Sequence, residues 1–272
     1  MFNSISTQAS KLINLTRKKK LINSKTKLIT ITSGKGGVGK STFTANIAFL
    51  LAQKGLKIAV LDADIGLANM QVLFNVKPKY TFFDYMDGTK SLNETITQTQ
   101  YENIFLLAGK SGCEYLDQSN SFVFTRVVED VISLNEYDIL LVDTGAGLND
   151  FVKEFLSISD NIIALTTTDP SALTDVYTLI KVLSLDKEKL MICFNHTRNY
   201  KIGESISNSL VSLAKKNRLN QDFMLEYIGN IATSANISTT GRLQKLFTKE
   251  FFDDNSTKQL QDVIKYLLKI IY

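Results

Sequence analysis

The chain has 272 residues, 44% of them hydrophobic and 21% charged, which is enough to bury one sizeable core and reads as a single domain with appended ends. No apolar run approaches the roughly 18 residues that span a bilayer, and the first residues lack the apolar core and cleavage site of a signal peptide, so a cytoplasmic protein is expected. Its two cysteines, Cys113 and Cys193, are too few and too far apart for a zinc site or a disulfide framework.

The net charge of +4 conceals an asymmetry. Lys11, Arg17, Lys18, Lys19, Lys20, Lys25 and Lys27 open the chain with no acid among them, so the remainder is mildly acidic. Residues 1–26 therefore read as a basic N-terminal partner-binding segment, able to touch an anionic lipid or an acidic partner. A broad nucleic-acid-binding face is not expected on the rest.

From Lys27 onward, short apolar runs of β type alternate with helical patterns. This predicts an α/β fold, a doubly wound, mostly parallel sheet with helices on both faces, over residues 27–252. The runs predict strands at Lys27–Ser33, Leu56–Asp62, Asn103–Leu107, Asp138–Asp143, Asn161–Thr166, Leu190–Asn195 and Met224–Ile228. Between them, apolar residues recurring at three and four positions predict helices at Ser41–Gln53, Phe122–Leu134, Ser171–Leu183 and Ser205–Lys216. Residues 253–272 form one more segment, with Leu260, Val263, Ile264, Leu267, Leu268 and Ile271 on one helical face and Lys258, Lys265 and Lys269 elsewhere. Packing on the domain is the common fate of such a helix; its terminal position and lysines make it a candidate for an anionic membrane surface.

The first strand runs into Gly34, Lys35, Gly36, Gly37, Val38, Gly39, Lys40 and Ser41, which fits G-x-x-x-x-G-K-S/T directly between a strand and an amphipathic helix. Glycines let consecutive backbone N–H groups turn onto phosphate, and the helix N-terminus adds partial positive charge. Lys40 is expected at the β and γ oxygens of ATP, and the Ser41 hydroxyl on Mg²⁺. Lys35 is a further cation in the loop without an acidic neighbour, for which a phosphate is the natural counter-ion.

The stretch Lys35 to Thr42, Lys-Gly-Gly-Val-Gly-Lys-Ser-Thr, resembles the deviant P-loop of the MinD/ParA ATPase family. The resemblance implies that Lys35 contacts nucleotide phosphate in an ATP-dependent homodimer. Leu61-Asp62-Ala63-Asp64-Ile65-Gly66-Leu67-Ala68-Asn69 looks like that family's first switch. It implies that Asp64 orients the attacking water and that Asp62 lies near Mg²⁺. Leu140-Leu141-Val142-Asp143-Thr144-Gly145-Ala146-Gly147 resembles the second switch, with Asp143 holding Mg²⁺ through water. Asn195, at a strand end, matches an asparagine that reads the adenine edge. The neighbouring His196, the only histidine, receives no role. At Ile231-Ala232-Thr233-Ser234 the chain departs from a proline and an acid usual near the base pocket.

Further stretches look like the flagellar-number regulators of this family, the FlhG or FleN group: Lys79-Tyr80-Thr81, Leu107 to Gly112, and Thr166 to Tyr177. Gln8-Ala9-Ser10-Lys11-Leu12 is similar to that group's activator motif, although Thr7 and Ile13 depart from it. The resemblance implies a slow Mg²⁺-dependent ATPase switch controlling flagellar number or placement, reversibly associated with the inner membrane face. Its partner, through residues 1–20, would be a flagellar GTPase of the signal-recognition-particle type. Other readings stay open. A partition-type or division-site positioning ATPase shares the motifs, and Lys215, Lys216 and Arg218 could serve DNA phosphates. A nucleotide-dependent scaffold with negligible turnover also fits, whereas an iron–sulfur carrier does not, because Ala146 stands where a second cysteine is needed.

Overall fold

The computed structural model describes residues 24–65, 69–110, 123–198, 201–217, 220 and 222–272. The N-terminal motif around Gln8, Gly66 to Ala68 of the first switch, Cys113 and Arg218 lie outside the described residues.

Among the described residues eight strands form one sheet: β1 (Lys27–Ser33), β2 (Ile58–Ala63), β3 (Ile96–Gln98), β4 (Ile104–Leu107), β5 (Ile139–Ala146), β6 (Asn161–Thr166), β7 (Lys189–Thr197) and β8 (Met224–Ala232). Their order is β3-β4-β2-β5-β1-β6-β7-β8, and every pair is parallel except β3 with β4. All seven predicted strands are present. The near-continuous apolar runs have the physical cause expected of a parallel sheet, which is covered on both faces. Ile29, Ile31, Ile58, Val60, Ile139 and Leu141 project to one layer, built on α1 (Lys40–Ala52). Their neighbours Leu28, Ala59, Leu61, Leu140 and Val142 project to the other, against α5 (Val123–Ser133). Further along that second layer, Ile162, Ala164, Leu190 and Ile192 meet α6 (Asp150–Ile158), α7 (Pro170–Leu183) and α8 (Ile202–Lys216).

The strand after α5 continues to Ala146 rather than stopping at Asp143, and β7 runs to Thr197 past Asn195. Both predicted site residues are therefore held inside strands. Short helices without a full apolar period were not legible: α2 (Met70–Leu73), α3 (Phe82–Met86), α4 (Leu92–Thr95), α9 (Ala235–Arg242) and α10 (Phe247–Glu250). Two of these carry reciprocal capping boxes, Thr81 with Asp84 and Ser91 with Glu94, which is the local signal that nucleates them.

The C-terminal helix α11 (Asn255–Ile271) corrects the division at residue 253. Leu260, Val263, Ile264, Leu267 and Ile271 are buried in the same cluster as α1 and the central strands. Its start is tied to β8, where the Ala232 N–H donates to Gln259 Oε1 and Ser256 Oγ donates to the Ala232 carbonyl. The face expected to meet a membrane completes the domain core instead, so α11 is a layer of the domain rather than an appendage. Among the described residues no helix is long and apolar enough to cross a membrane.

Ile264 is fully buried between β8 and α1. Ile264→Ala is expected to lower the unfolding free energy by about 3 kcal/mol, the usual cost of a buried large-to-small change. Urea denaturation checks this; a loss under about 0.5 kcal/mol, the range of an exposed position, contradicts core placement.

Candidate functional site

The P-loop turns from the end of β1 onto the start of α1, and two of its glycines are required by geometry. Gly39 is the helix N-cap at φ +88°, and a Cβ there would meet Asn195 Nδ2 at 2.6 Å. A Cβ on Gly34 would meet Asp175 Cβ at 2.5 Å. α1 has no side-chain cap hydrogen bond and no acid in its first turn. Among the described residues its leading N–H groups and the positive end of its dipole thus face the loop without a side-chain cap or a first-turn acid, an arrangement suited to an anion.

Lys40 begins α1 and is 7% exposed, with Nζ 3.7 Å from Asp143 Oδ1. Asp143 is fully buried. Ser41 Oγ donates to its Oδ2 at 2.6 Å and Thr44 Oγ1 to its Oδ1 at 3.1 Å. Burial drives the Asp143 pKa upward, and Lys40, Ser41 and Thr44 partly oppose that. Asp62 pairs with Asp143 in the β2–β5 register and is itself 1% exposed. Burial first, then the nearby Asp143 charge, pushes its pKa up to about 7. Its oxygens accept from the backbone N–H groups of Asp64 and Met70, so Asp62 also shapes the start of the first-switch segment.

Asp64 follows β2 and lines a cavity of about 510 Å³ together with the loop from Lys35 to Thr42, Asn69, Val72, Leu73 and Ala146. A Cβ on Gly145 would lie 3.4 Å from Asp64 Oδ1, which puts the two switch segments side by side. Burial raises the Asp64 pKa while Lys40 lowers it. Ser41 Oγ, Asp62 and Asp143 give the hard oxygen donors that suit Mg²⁺, an ion that takes one or two carboxylates and completes its shell with phosphate and water. Two adjacent buried acids, one held up to about 7, are what a cation there would relieve.

Four predicted residues differ in their surroundings from the simplest expectation. Asn195 donates from Nδ2 to the Val38 carbonyl at 2.9 Å, and its Oδ1 accepts the His196 N–H. Its amide therefore braces the P-loop. Lys35 Nζ reaches Ser171 Oγ at 2.7 Å in an exposed position. Lys215 and Lys216 occupy the last turn of α8, where cations answer the helix dipole without any DNA. Sequence reasoning missed Ser171 and Asp175 on α7 as neighbours of the loop. Their stretch carried a resemblance but no chemical signal.

A model of the ParA family, described as NUBPL iron-transfer P-loop NTPase, matches residues 24–268. The chain is 35% identical to the flagellum site-determining protein YlxH of Helicobacter pylori, over 98% of this chain and 90% of that one. It is 28% identical to the antiactivator FleN of Pseudomonas aeruginosa, over 82% and 80%. Among solved structures, a chain of the MinC:MinD cell division protein complex of Aquifex aeolicus superposes with a TM-score of 0.75 at 24% identity, covering 89% of this chain and 96% of that one. The MinD of Pyrococcus horikoshii complexed with Mg-ADP gives 0.74 at 22%, covering 91% and 99%. At these identities the solved structures speak to the fold.

The raised Asp62 pKa has a stability consequence of definite sign. A carboxyl whose folded pKa, about 7, lies above the unfolded value of 3.8 favours the fold at low pH and loses that contribution as pH rises through 7. Without Mg²⁺ or nucleotide, stability should fall from about pH 4 to about pH 7 and level off above, and Asp62→Asn should flatten the part of that fall above pH 5.5 by about 1–3 kcal/mol. Chemical denaturation at pH 5.5 and 8.5 measures both slopes; identical slopes remove Asp62 as the titrating group.

Proposed function

The chain belongs to the ParA family of P-loop NTPases, and on that premise we propose that it is a Mg²⁺-dependent ATPase switch that dimerises with ATP and regulates flagellar number or placement. The observation that carries the nucleotide part is the uncapped N-terminus of α1, with Lys40 and Ser41 lining one cavity and buried Asp143 behind them as the partner of both. The flagellar part rests on the similarity to YlxH and FleN over most of their lengths.

In this reading the loop N–H groups and Lys40 hold the β and γ phosphates. Asp143 keeps the Ser41 hydroxyl turned toward the position of Mg²⁺, and Asp62 fixes the backbone from Asp64 to Met70. Mg²⁺, when bound, neutralises charge between the terminal phosphates. Asp64, beside Gly145 at the cavity wall, orients the attacking water. Lys35 is exposed and rests on the neutral hydroxyl of Ser171; in this reading it meets phosphates held by a second copy. The partner for residues 1–20 is a GTPase of the signal-recognition-particle type. Attachment to a membrane through α11 forms no part of the proposal, since the apolar face of that helix lies in the core.

Lys40→Ala is expected to weaken ATP binding by about a hundredfold or more through loss of charge-assisted contacts, read by calorimetry with Mg²⁺. Asp64→Ala should bind ATP normally, hydrolyse it about a hundredfold more slowly and accumulate as the ATP-bound dimer in size-exclusion runs. Unchanged affinity in the first variant contradicts Lys40 as the phosphate clamp, and normal turnover in the second contradicts Asp64 as the water-orienting group. For the flagellar part, a deletion strain should carry an altered number or position of flagella that the intact gene restores and the Lys40→Ala form does not. A strain with unaltered flagella contradicts that part alone.

A further inference from the structure

One polar side chain within α1 makes bonds that leave the nucleotide site for the other end of the sequence. Asn46 is 1% exposed. Its Nδ2 donates to the carbonyl of Thr42, the last residue of the P-loop, at 2.8 Å. Its Oδ1 accepts from both the backbone N–H of Thr248 at 3.1 Å and the Thr248 Oγ1 at 2.8 Å. Thr248 is fully buried in α10, between Phe247 and the turn that Thr257 of α11 ties down by donating to the Phe251 carbonyl. Packing alone does not ask for an amide here, since Ile47, Ala48 and Leu51 of the same helix are buried as apolar residues.

The orientation of this amide is set by its partner. Thr248 offers an N–H, which only the oxygen of Asn46 can accept, and that leaves the Asn46 nitrogen facing Thr42. The Thr42 carbonyl belongs to the first turn of α1, whose N–H groups face the cavity. We propose that Asn46 is a positioning residue for the P-loop, that Thr248 holds it in register, and that residues 246–271 are thereby coupled to nucleotide affinity. The proposal rests on the chain being a nucleotide-binding protein. By linkage the coupling runs both ways, so nucleotide at the loop steadies the α10–α11 segment. Thr248 lines no part of the nucleotide cavity, so its effect on affinity passes through Asn46.

The test compares Thr248→Val, Asn46→Leu and the double variant with the wild-type chain, measuring the ATP Kd with Mg²⁺ by calorimetry and the melting temperature of each. Thr248→Val, which loses one hydrogen bond, is expected to raise Kd about threefold, and Asn46→Leu, which loses three including the one to the Thr42 carbonyl, about tenfold. The double variant should match Asn46→Leu rather than multiply the two effects. In the wild-type chain, ATP should slow hydrogen exchange across residues 246–257, and this slowing should be lost in Thr248→Val, a measurement that stands even if Asn46→Leu fails to fold. Lower melting temperatures with unchanged Kd, multiplying effects, or exchange indifferent to ATP overturn the proposal while leaving nucleotide binding intact. A wild-type chain that binds no ATP overturns both.

Discussion

The site is organised around one buried carboxylate. Asp143 sits in the middle of the sheet with no exposure, where an ionised acid is costly unless it is answered. Three answers come from α1: the Lys40 ammonium and the hydroxyls of Ser41 and Thr44. Those contacts clamp the first turn of the helix to β5 and fix the end of the phosphate loop. The same clamp aims Ser41 and leaves the helix N-terminus uncovered, so one electrostatic requirement settles the loop, the helix start and the hydroxyl together.

The fold was legible where its physics is periodic. Every predicted strand is present, because a strand covered on both faces must be apolar along its length, and Ile29 and Leu28 then differ only in which layer they enter. Edge and connecting pieces were not legible: β3 is three residues long, and α2, α4 and α10 are one turn each, too short for a period to register. The C-terminal helix marks a different limit. An amphipathic pattern states that a face must be covered and is silent on what covers it. In this chain the cover is β8 and α1, through Val263, Ile264 and Leu267.

Within the site, the loop and its carboxylates were legible because backbone N–H groups, a lysine and a hydroxyl must follow in fixed order to hold a triphosphate. What was not legible depends on approach between distant elements. Ser171 and Asp175 lie beside the loop only because α7 crosses it, and nothing in their own stretch says so. Asn195 was legible as a site residue, yet its bond to the Val38 carbonyl follows from β7 continuing past it and from Gly39 leaving room for its amide. Asp62 was read as an acid near an expected metal position; its grip on the N–H groups of Asp64 and Met70 was not legible.

The two aligned acids also explain how such a site can act as a switch. Without ligand, the Asp62–Asp143 pair is a repulsive element in the core, eased by a proton, and Asp62 holds the start of the first switch by hydrogen bonds of its own. A divalent cation held near these acids, as proposed, would relieve the repulsion and favour the ionised form of Asp62, which accepts hydrogen bonds from the Asp64 and Met70 N–H groups more strongly than a protonated one does. In the proposed reading, nucleotide binding would tighten the backbone that follows Asp62 through the Asp64 and Met70 N–H groups. Such a linkage would need no new contact, because the charge state of one buried carboxyl bears directly on the backbone N–H groups of Asp64 and Met70.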